Sequence, residues 1–356
     1  MNAHNPHTAI QPRRVLAALA LLLVLGAAGP AGFAAYSNPG AGLQTLLSGT
    51  VNHGGLYLSS QATWTNGANP AVGQPYTIDT SFTMPAVDRI VDGRLILTAW
   101  GGTSNYTANV DVTVNGNPLV SGGLFFGRAD DSNATFSPTL PSVYGSGAGV
   151  WLIGLPINPL WLNTNGSANS VSITLTTSNS FDGRISQASL VSVYQDDALN
   201  NRLQYAIAEG SGDIYRTPTG SQTNAWSVSL GTLALSNPTS ATLHAVYTYG
   251  DANQNDHLYF NGAALGGSGS NDVARWAPSP SGLSYGPDAV SYDVLPLMDL
   301  TNSARFSAGP DVSGTRETSL RAQIAVLEVY AIPEPAAWFL AALGAFPLLR
   351  RKKPRG

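Results

Sequence analysis

From about Ser37 to Ala331 period-two alternation of apolar residues is widespread, and no stretch shows a convincing helical spacing. Val110-Asp111-Val112-Thr113-Val114 puts three valines on one face, and Val171-Ser172-Ile173-Thr174-Leu175 repeats the pattern with hydroxyl residues outside. Arg94 to Trp100, Leu190 to Tyr194, Thr242 to Tyr249 and Ile324 to Tyr330 are rich in β-branched and aromatic residues and read as further strands. Asp92-Gly93, Asn115-Gly116, Asp182-Gly183 and Asn261-Gly262, beside or between them, read as turn dipeptides. Many short strands with half-polar faces predict an all-β protein of antiparallel sandwiches, jelly-roll-like, rather than a parallel sheet.

The landmarks occur twice. Tyr76 to Met84 resembles Trp226 to Ala234, and the strand ending at Trp100 resembles the one ending at Tyr247. Asn115-Gly116 matches Asn261-Gly262, Leu155-Pro156 matches Leu295-Pro296, and Leu190 to Tyr194 matches Val326 to Tyr330. The offset shrinks steadily from 150 to 136, as it would if the second copy had shorter loops. The expected organisation is therefore a first sandwich over 36–197 and a second over 198–331, with 1–35 and 332–356 as flanking addresses. One large sandwich with similar strands is the alternative.

The first address has Arg13-Arg14, then the apolar run Val15 to Ala28, then small residues to Ala35. That order is a secretory signal peptide with a helical core, cut near Ala34 by signal peptidase. The run is short for a membrane span of about 20 residues. The second address reads Pro333-Glu334-Pro335, then Ala336 to Leu349, then Arg350, Arg351, Lys352, Lys353, Pro354 and Arg355. Fourteen residues make a helix of about 21 Å, short of the ~30 Å hydrocarbon core. The basic end would stay on the cytoplasmic side.

This C-terminal order resembles the PEP-CTERM sorting signal. The resemblance implies transient membrane retention, recognition of Pro333-Glu334-Pro335 by an exosortase-type processing enzyme, and removal of the tail. It also implies export across the inner membrane to the cell surface or an extracellular matrix of exopolysaccharide or biofilm. The body is similar to a family of secreted archaeal and bacterial proteins of unknown function, on Leu190 to Asp196, Tyr205 to Gly210 and Leu258 to Gly262. That likeness implies a fold and no activity.

Charge sharpens once the addresses are set aside. The whole chain has 17 Lys and Arg against 21 Asp and Glu. The body keeps ten cations, all arginine, against twenty acids. An acidic, lysine-free body argues against nucleic acid as a partner. The absence of cysteine excludes disulfides, thiolate nucleophiles and Cys-ligated metals.

Chemistry-bearing residues are sparse. His53, His244 and His257 lie in strand or loop patterns, and no Gly-x-Ser-x-Gly elbow accompanies them. Glycoside hydrolysis needs two carboxylates about 5–10 Å apart, and the body offers Glu209, Glu317 and Glu328 among many turn aspartates. Glu328 is in phase with Ile324, Val326 and Tyr330, which predicts an inward or interface position. Asp251, Asn253, Asn255 and Asp256 alternate oxygen side chains as at the start of a calcium loop. It is no EF-hand, since position six is Asp256 and position twelve is Gly262. A solvated hairpin loop is the plainer account.

Six tryptophans of the body could stack on sugars if exposed. Trp64 and Trp276, among Asn, Pro and Ser, are the binding candidates, whereas Trp100 and Trp226 fall in strand patterns. The function expected is non-enzymatic: a sorted surface or matrix protein with a structural, adhesive or polysaccharide-associated role. The alternatives are a calcium-supported carbohydrate-binding module and, behind it, a secreted hydrolase.

Overall fold

The structure, a computed structural model, describes residues 35–37, 42–63, 71–100, 107–126, 137–145, 150–178, 184–215, 223–248, 257–265, 288–307 and 319–332. Its strands are β1 (Ala35–Ser37), β2 (Gln44–Asn52), β3 (Gly54–Ala62), β4 (Pro75–Thr83), β5 (Arg89–Trp100), β6 (Thr107–Val114) and β7 (Asn117–Phe126). There follow β8 (Ser142–Gly145), β9 (Val150–Pro156), β10 (Ala168–Ser178), β11 (Arg184–Gln195), β12 (Arg202–Tyr215) and β13 (Ala225–Thr232). The last are β14 (Pro238–Thr248), β15 (His257–Phe260), β16 (Ala263–Ala264), β17 (Asp288–Asp293), β18 (Thr301–Ser307) and β19 (Ser319–Ala331). Two short 3-10 turns, Pro159–Trp161 and Leu295–Leu297, are the only helical elements among the described residues. The protein is all-β. The expected signal helix and C-terminal hydrophobic helix lie outside the described residues.

Four sheets form. Sheet I has the order β4-β10-β6-β7, sheet II β1-β8-β9-β5-β11-β3, sheet III β17-β14-β19-β12-β2, and sheet IV β13-β18-β15-β16. Among the described residues pairing is antiparallel except for the short β1–β8 contact and the isolated Ile214–Thr223 bridge. One core joins sheets I and II through Leu95, Leu97, Val110, Val112, Trp151 and Ile173. A second joins sheets III and IV through Leu243, Tyr247, Phe260, Ala304, Phe306 and Leu327. A third lies between sheets II and III, with Ile96, Leu152, Val191 and Val193 against Leu203, Ile207, Ile324 and Val326.

This stacking explains two kinds of strand in one sequence. The outer strands β4, β6, β13 and β18 alternate buried and exposed residues, because one face meets solvent. The inner strands β5 and β19 are buried almost continuously. Their apolar residues divide between two cores: Leu95, Leu97 and Ala99 face sheet I, while Ile96 faces sheet III.

The two sheet pairs share a strand order. β9-β5-β11-β3 matches β17-β14-β19-β12, and β4-β10-β6-β7 matches β13-β18-β15-β16. The turns match too. Asn115 and Asn261 have φ of 51° and 49°, and Gly116 and Gly262 follow at 77° and 84°, the paired left-handed values of a tight hairpin. Asn115 Nδ2 donates to Trp161 O at 2.7 Å and to Asn169 Oδ1 at 2.9 Å. Asn261 Nδ2 donates to Leu297 O and to Asn302 Oδ1, each at 2.9 Å. Each bridge ties a hairpin to the 3-10 turn and to the neighbouring strand.

Two details differ from the sequence expectation. The structural counterpart of Leu295–Leu297 is Pro159–Trp161, not Leu155-Pro156, because the asparagine bridge and not the Leu-Pro dipeptide fixes the equivalence. Asp92-Gly93 is not a turn but lies inside β5, where Gly93 faces Leu162 and Ile157. One strand also crosses the tandem order: β2, early in the chain, pairs with β12 at the edge of sheet III.

Replacing either Asn115 or Asn261 by Ala puts a non-glycine side chain in the left-handed region without its polar compensation and removes the bridge. Each substitution is expected to cost roughly 2–3 kcal/mol in urea unfolding. Similar losses at the two sites bear out their equivalence; a negligible loss at one contradicts it.

Candidate functional site

Between sheets II and III the apolar core is interrupted by a polar seam. β5 turns Arg94 toward sheet III, and β12 turns Glu209 toward sheet II; both are fully buried. A buried charge is tolerated only when paired and hydrogen-bonded. Here the guanidinium meets the carboxylate as a fork: Nη2 donates to Oε1 at 2.6 Å, and Nε donates to Oε2. Tyr144 of β8 donates to the same Oε1 at 2.8 Å, and Arg94 Nη1 reaches Pro138 O at 3.2 Å. Gly154 of β9 makes room, since a Cβ there would clash with Glu209 Oε1.

Electrostatics follow from this geometry. Burial pulls the Arg94 pKa down, but Glu209 and Tyr144 more than reverse it, so the guanidinium is held above its ordinary value. Burial, reinforced by the charge of Glu209, pushes the Tyr144 phenol well up. Tyr205 is raised by burial and then by its hydrogen bond to Asp92, and Tyr330 by burial and the charge of Glu328. These phenols stay protonated and act as donors.

A groove of about 380 Å³ opens over one end of the seam. Asp92 and Pro138, which hold Tyr205 and Arg94 from one side, line it on the other. Leu47, Leu119, Asn158 and Trp161 complete its walls with several prolines. The 3-10 turn sets the tryptophan: Asn158 Oδ1 accepts from Leu160 N at 3.1 Å, Pro159 fixes the first turn residue, and the Asn115 bridge holds the Trp161 carbonyl. Trp161 is half-buried, and Leu160 beside it is 90% exposed. In the second copy the same turn carries Leu297. The scaffold is repeated and the aromatic is not.

A second polar group lies on the sheet II-facing side of sheet III. Glu328 is half-buried, with Oε1 3.0 Å from His244 Nε2 and Oε2 accepting from Tyr330 at 3.1 Å. His244 Nδ1 lies 2.7 Å from Ser291 Oγ. A buried ion pair joins Arg321 to Asp213. The Glu209 carboxylate is enclosed by Arg94 and Tyr144.

The sequence-predicted site residues fall largely elsewhere. Asp251, Asn253, Asn255 and Asp256, the calcium candidates, lie outside the described residues, as do Trp64 and Trp276. So do Ala34, Pro333, Glu334, Pro335, Arg350, Arg351, Lys352, Lys353 and Arg355. Among the described residues no group of three or more His, Asp or Glu could hold a metal ion, and no helix is long and apolar enough to cross a membrane. Trp226 packs against the core between sheets III and IV, with Nε1 donating to Asp213 O at 2.9 Å, and Trp151 is core.

Residues 36–330 match the family described as Protein of unknown function (DUF3344). The chain belongs to this family. No curated protein matches the DUF3344 chain. Among solved structures it is similar to a peptide-N(4)-(N-acetyl-β-D-glucosaminyl) asparagine amidase, at 13% identity over 78% of this chain and 97% of that one, with a TM-score of 0.26. It is similar to a β-porphyranase of glycoside hydrolase family 86 from Bacteroides plebeius, at 12% identity, 70% and 38% coverage, and a TM-score of 0.24. The major capsid protein P2 of bacteriophage PM2 follows at 11% identity, 79% and 99% coverage, and a TM-score of 0.22. Likenesses at this level transfer no activity to the DUF3344 chain.

Two measurements probe the seam. Glu209→Ala leaves Arg94 buried and unpaired, at an expected cost of about 3–5 kcal/mol, and adding Arg94→Met should recover much of it. Urea unfolding of the three proteins reads this directly. Raised phenol pKa values contribute stability that is complete below the ordinary tyrosine value near 10 and is lost as pH rises beyond it. The urea midpoint should therefore fall above about pH 10, and less steeply once Tyr144 and Tyr205 are both Phe.

Proposed function

We propose that this DUF3344 protein is an exported surface or matrix protein, sorted by its C-terminal signal, with a structural or adhesive role and no catalytic one. The single observation that carries the sorting is the order Pro333-Glu334-Pro335, apolar run, basic end. An exosortase-type enzyme would cut at the tripeptide after the short apolar helix had halted in the membrane and Arg350 to Arg355 had held the cytoplasmic side. The body would be two tandem jelly-roll-like sandwiches, a reading supported by the strand order that the two sheet pairs share apart from β1, β8 and β2. A body joined through its inner sheets suits load-bearing, because the two halves cannot separate without exposing the third core and the buried Arg94–Glu209 pair.

A specific observation favours a polysaccharide partner. Trp161 lines the groove and would stack on a sugar ring, with Asp92 and Asn158 able to hydrogen-bond hydroxyls. The acidic body favours a neutral chain over a uronic or sulfated one. Calcium at Asp251 to Asp256 would support this alternative, and a secreted hydrolase stands behind it.

Full-length protein expressed with and without the exosortase tests the sorting. The expected result is a processed form outside the cell only when the enzyme is present; unchanged size and location in its absence contradicts the proposal. Affinity electrophoresis through neutral matrix polysaccharide tests the groove. Retardation that falls at least about tenfold in affinity with Trp161→Ala supports it, a loss of about 1.4 kcal/mol, and equal mobility of both proteins removes it.

A further inference from the structure

One contact in the seam is explained neither by apolar packing nor by charge pairing. Thr98 of β5 and Gln323 of β19 are both fully buried, and Thr98 Oγ1 donates to Gln323 Oε1 at 2.9 Å. Among the described residues the other end of that amide, Gln323 Nε2, is buried without a hydrogen-bond partner. A native core seldom retains such a donor, because its lost hydration is uncompensated.

The geometry points to an intramolecular ester cross-link between Thr98 and Gln323. The Thr98 oxygen attacks Cδ of the Gln323 side chain, forming a C–O bond while the Cδ–Nε2 bond breaks. Nε2 leaves as ammonia and carries away the hydroxyl proton. Atoms balance, and no oxidant, reductant or cofactor enters.

Three observations support the step. The nucleophile is already in hydrogen-bond contact with the acyl group it would attack, so the reaction is intramolecular and needs only a turn of the side chain from Oε1 toward Cδ. The leaving atom is the one without a partner, so its departure removes an unsatisfied donor from the core. Both residues are sealed from water, which protects the product ester from hydrolysis.

The position suits a cross-link. β5 lies between β9 and β11, and β19 lies between β14 and β12, so the bond would join interior strands of sheets II and III. It would close a span of 225 residues. Residues 36–331 contain neither cysteine nor lysine, so disulfides and lysine isopeptides are both excluded there. A Thr–Gln ester remains open to them.

Tryptic mapping of the folded full-length protein tests it. Cleavage after arginine places Thr98 in peptide 95–128 and Gln323 in the peptide that begins at Ala322. The expected result is one linked species, lighter than the two peptides together by one ammonia and separated by hydroxylamine. Two free peptides of full mass from folded protein overturn the proposal. Thr98→Val should abolish the linkage, and ammonia loss that persists in this variant assigns it elsewhere and also overturns the proposal. Should Thr98→Val fail to fold, Thr98→Ser keeps the hydroxyl and should keep the link, while the wild-type map decides by itself.

Discussion

Arg94 and Glu209 occupy the place where two sheets bury their inner faces against each other, and much of the remaining architecture follows from that burial. Sheets II and III each cover two cores, so their central strands β5 and β19 have almost no face left for solvent. A charge in such a layer must find its opposite within hydrogen-bond reach. The pair therefore fixes how β5 lies over β12, requires a residue without a side chain at Gly154, and draws Tyr144 in as a third donor. The groove over the end of this seam inherits its shape from the same constraint, since Asp92 and Pro138 serve both.

A shared strand order supplies the frame, and differences at single positions supply the chemistry. The asparagine bridges at Asn115 and Asn261 hold the same carbonyl position in each copy. Yet the first turn carries Trp161 and the second Leu297, and only on sheet III does a Glu328 carboxylate meet His244 and Tyr330 among the described residues. The groove takes its tryptophan from the first copy and Leu47 from the edge of sheet III, while the His244 group belongs to the second.

Much of the fold was legible because periodicity reports exposure. β6 and β10 alternate since one face meets water, and Leu95-Ile96-Leu97 in β5 form an unbroken apolar run since neither face does. The tight hairpins were legible because Asn-Gly tolerates the left-handed backbone they need. Asp92-Gly93 misled for the same reason, as Gly93 serves close packing against Leu162 rather than a turn. The pairing of β2 with β12 was not legible, because local pattern carries no address for a partner some 150 residues away. The seam is also marked in the sequence. A lone Arg in Arg94-Leu-Ile-Leu and a lone Glu after Ala206-Ile-Ala each sit in apolar strands, where burial implies a partner. Trp161 gave less sign, since its exposure depends on a bridge from a hairpin 46 residues earlier.

If the shared core and the buried pair unite the two halves, the body should unfold as one unit despite its internal repeat. Differential scanning calorimetry of the full-length protein tests this most directly. A single transition whose calorimetric and van't Hoff enthalpies agree is the predicted result. Two separable transitions, one for each sheet pair, would contradict it.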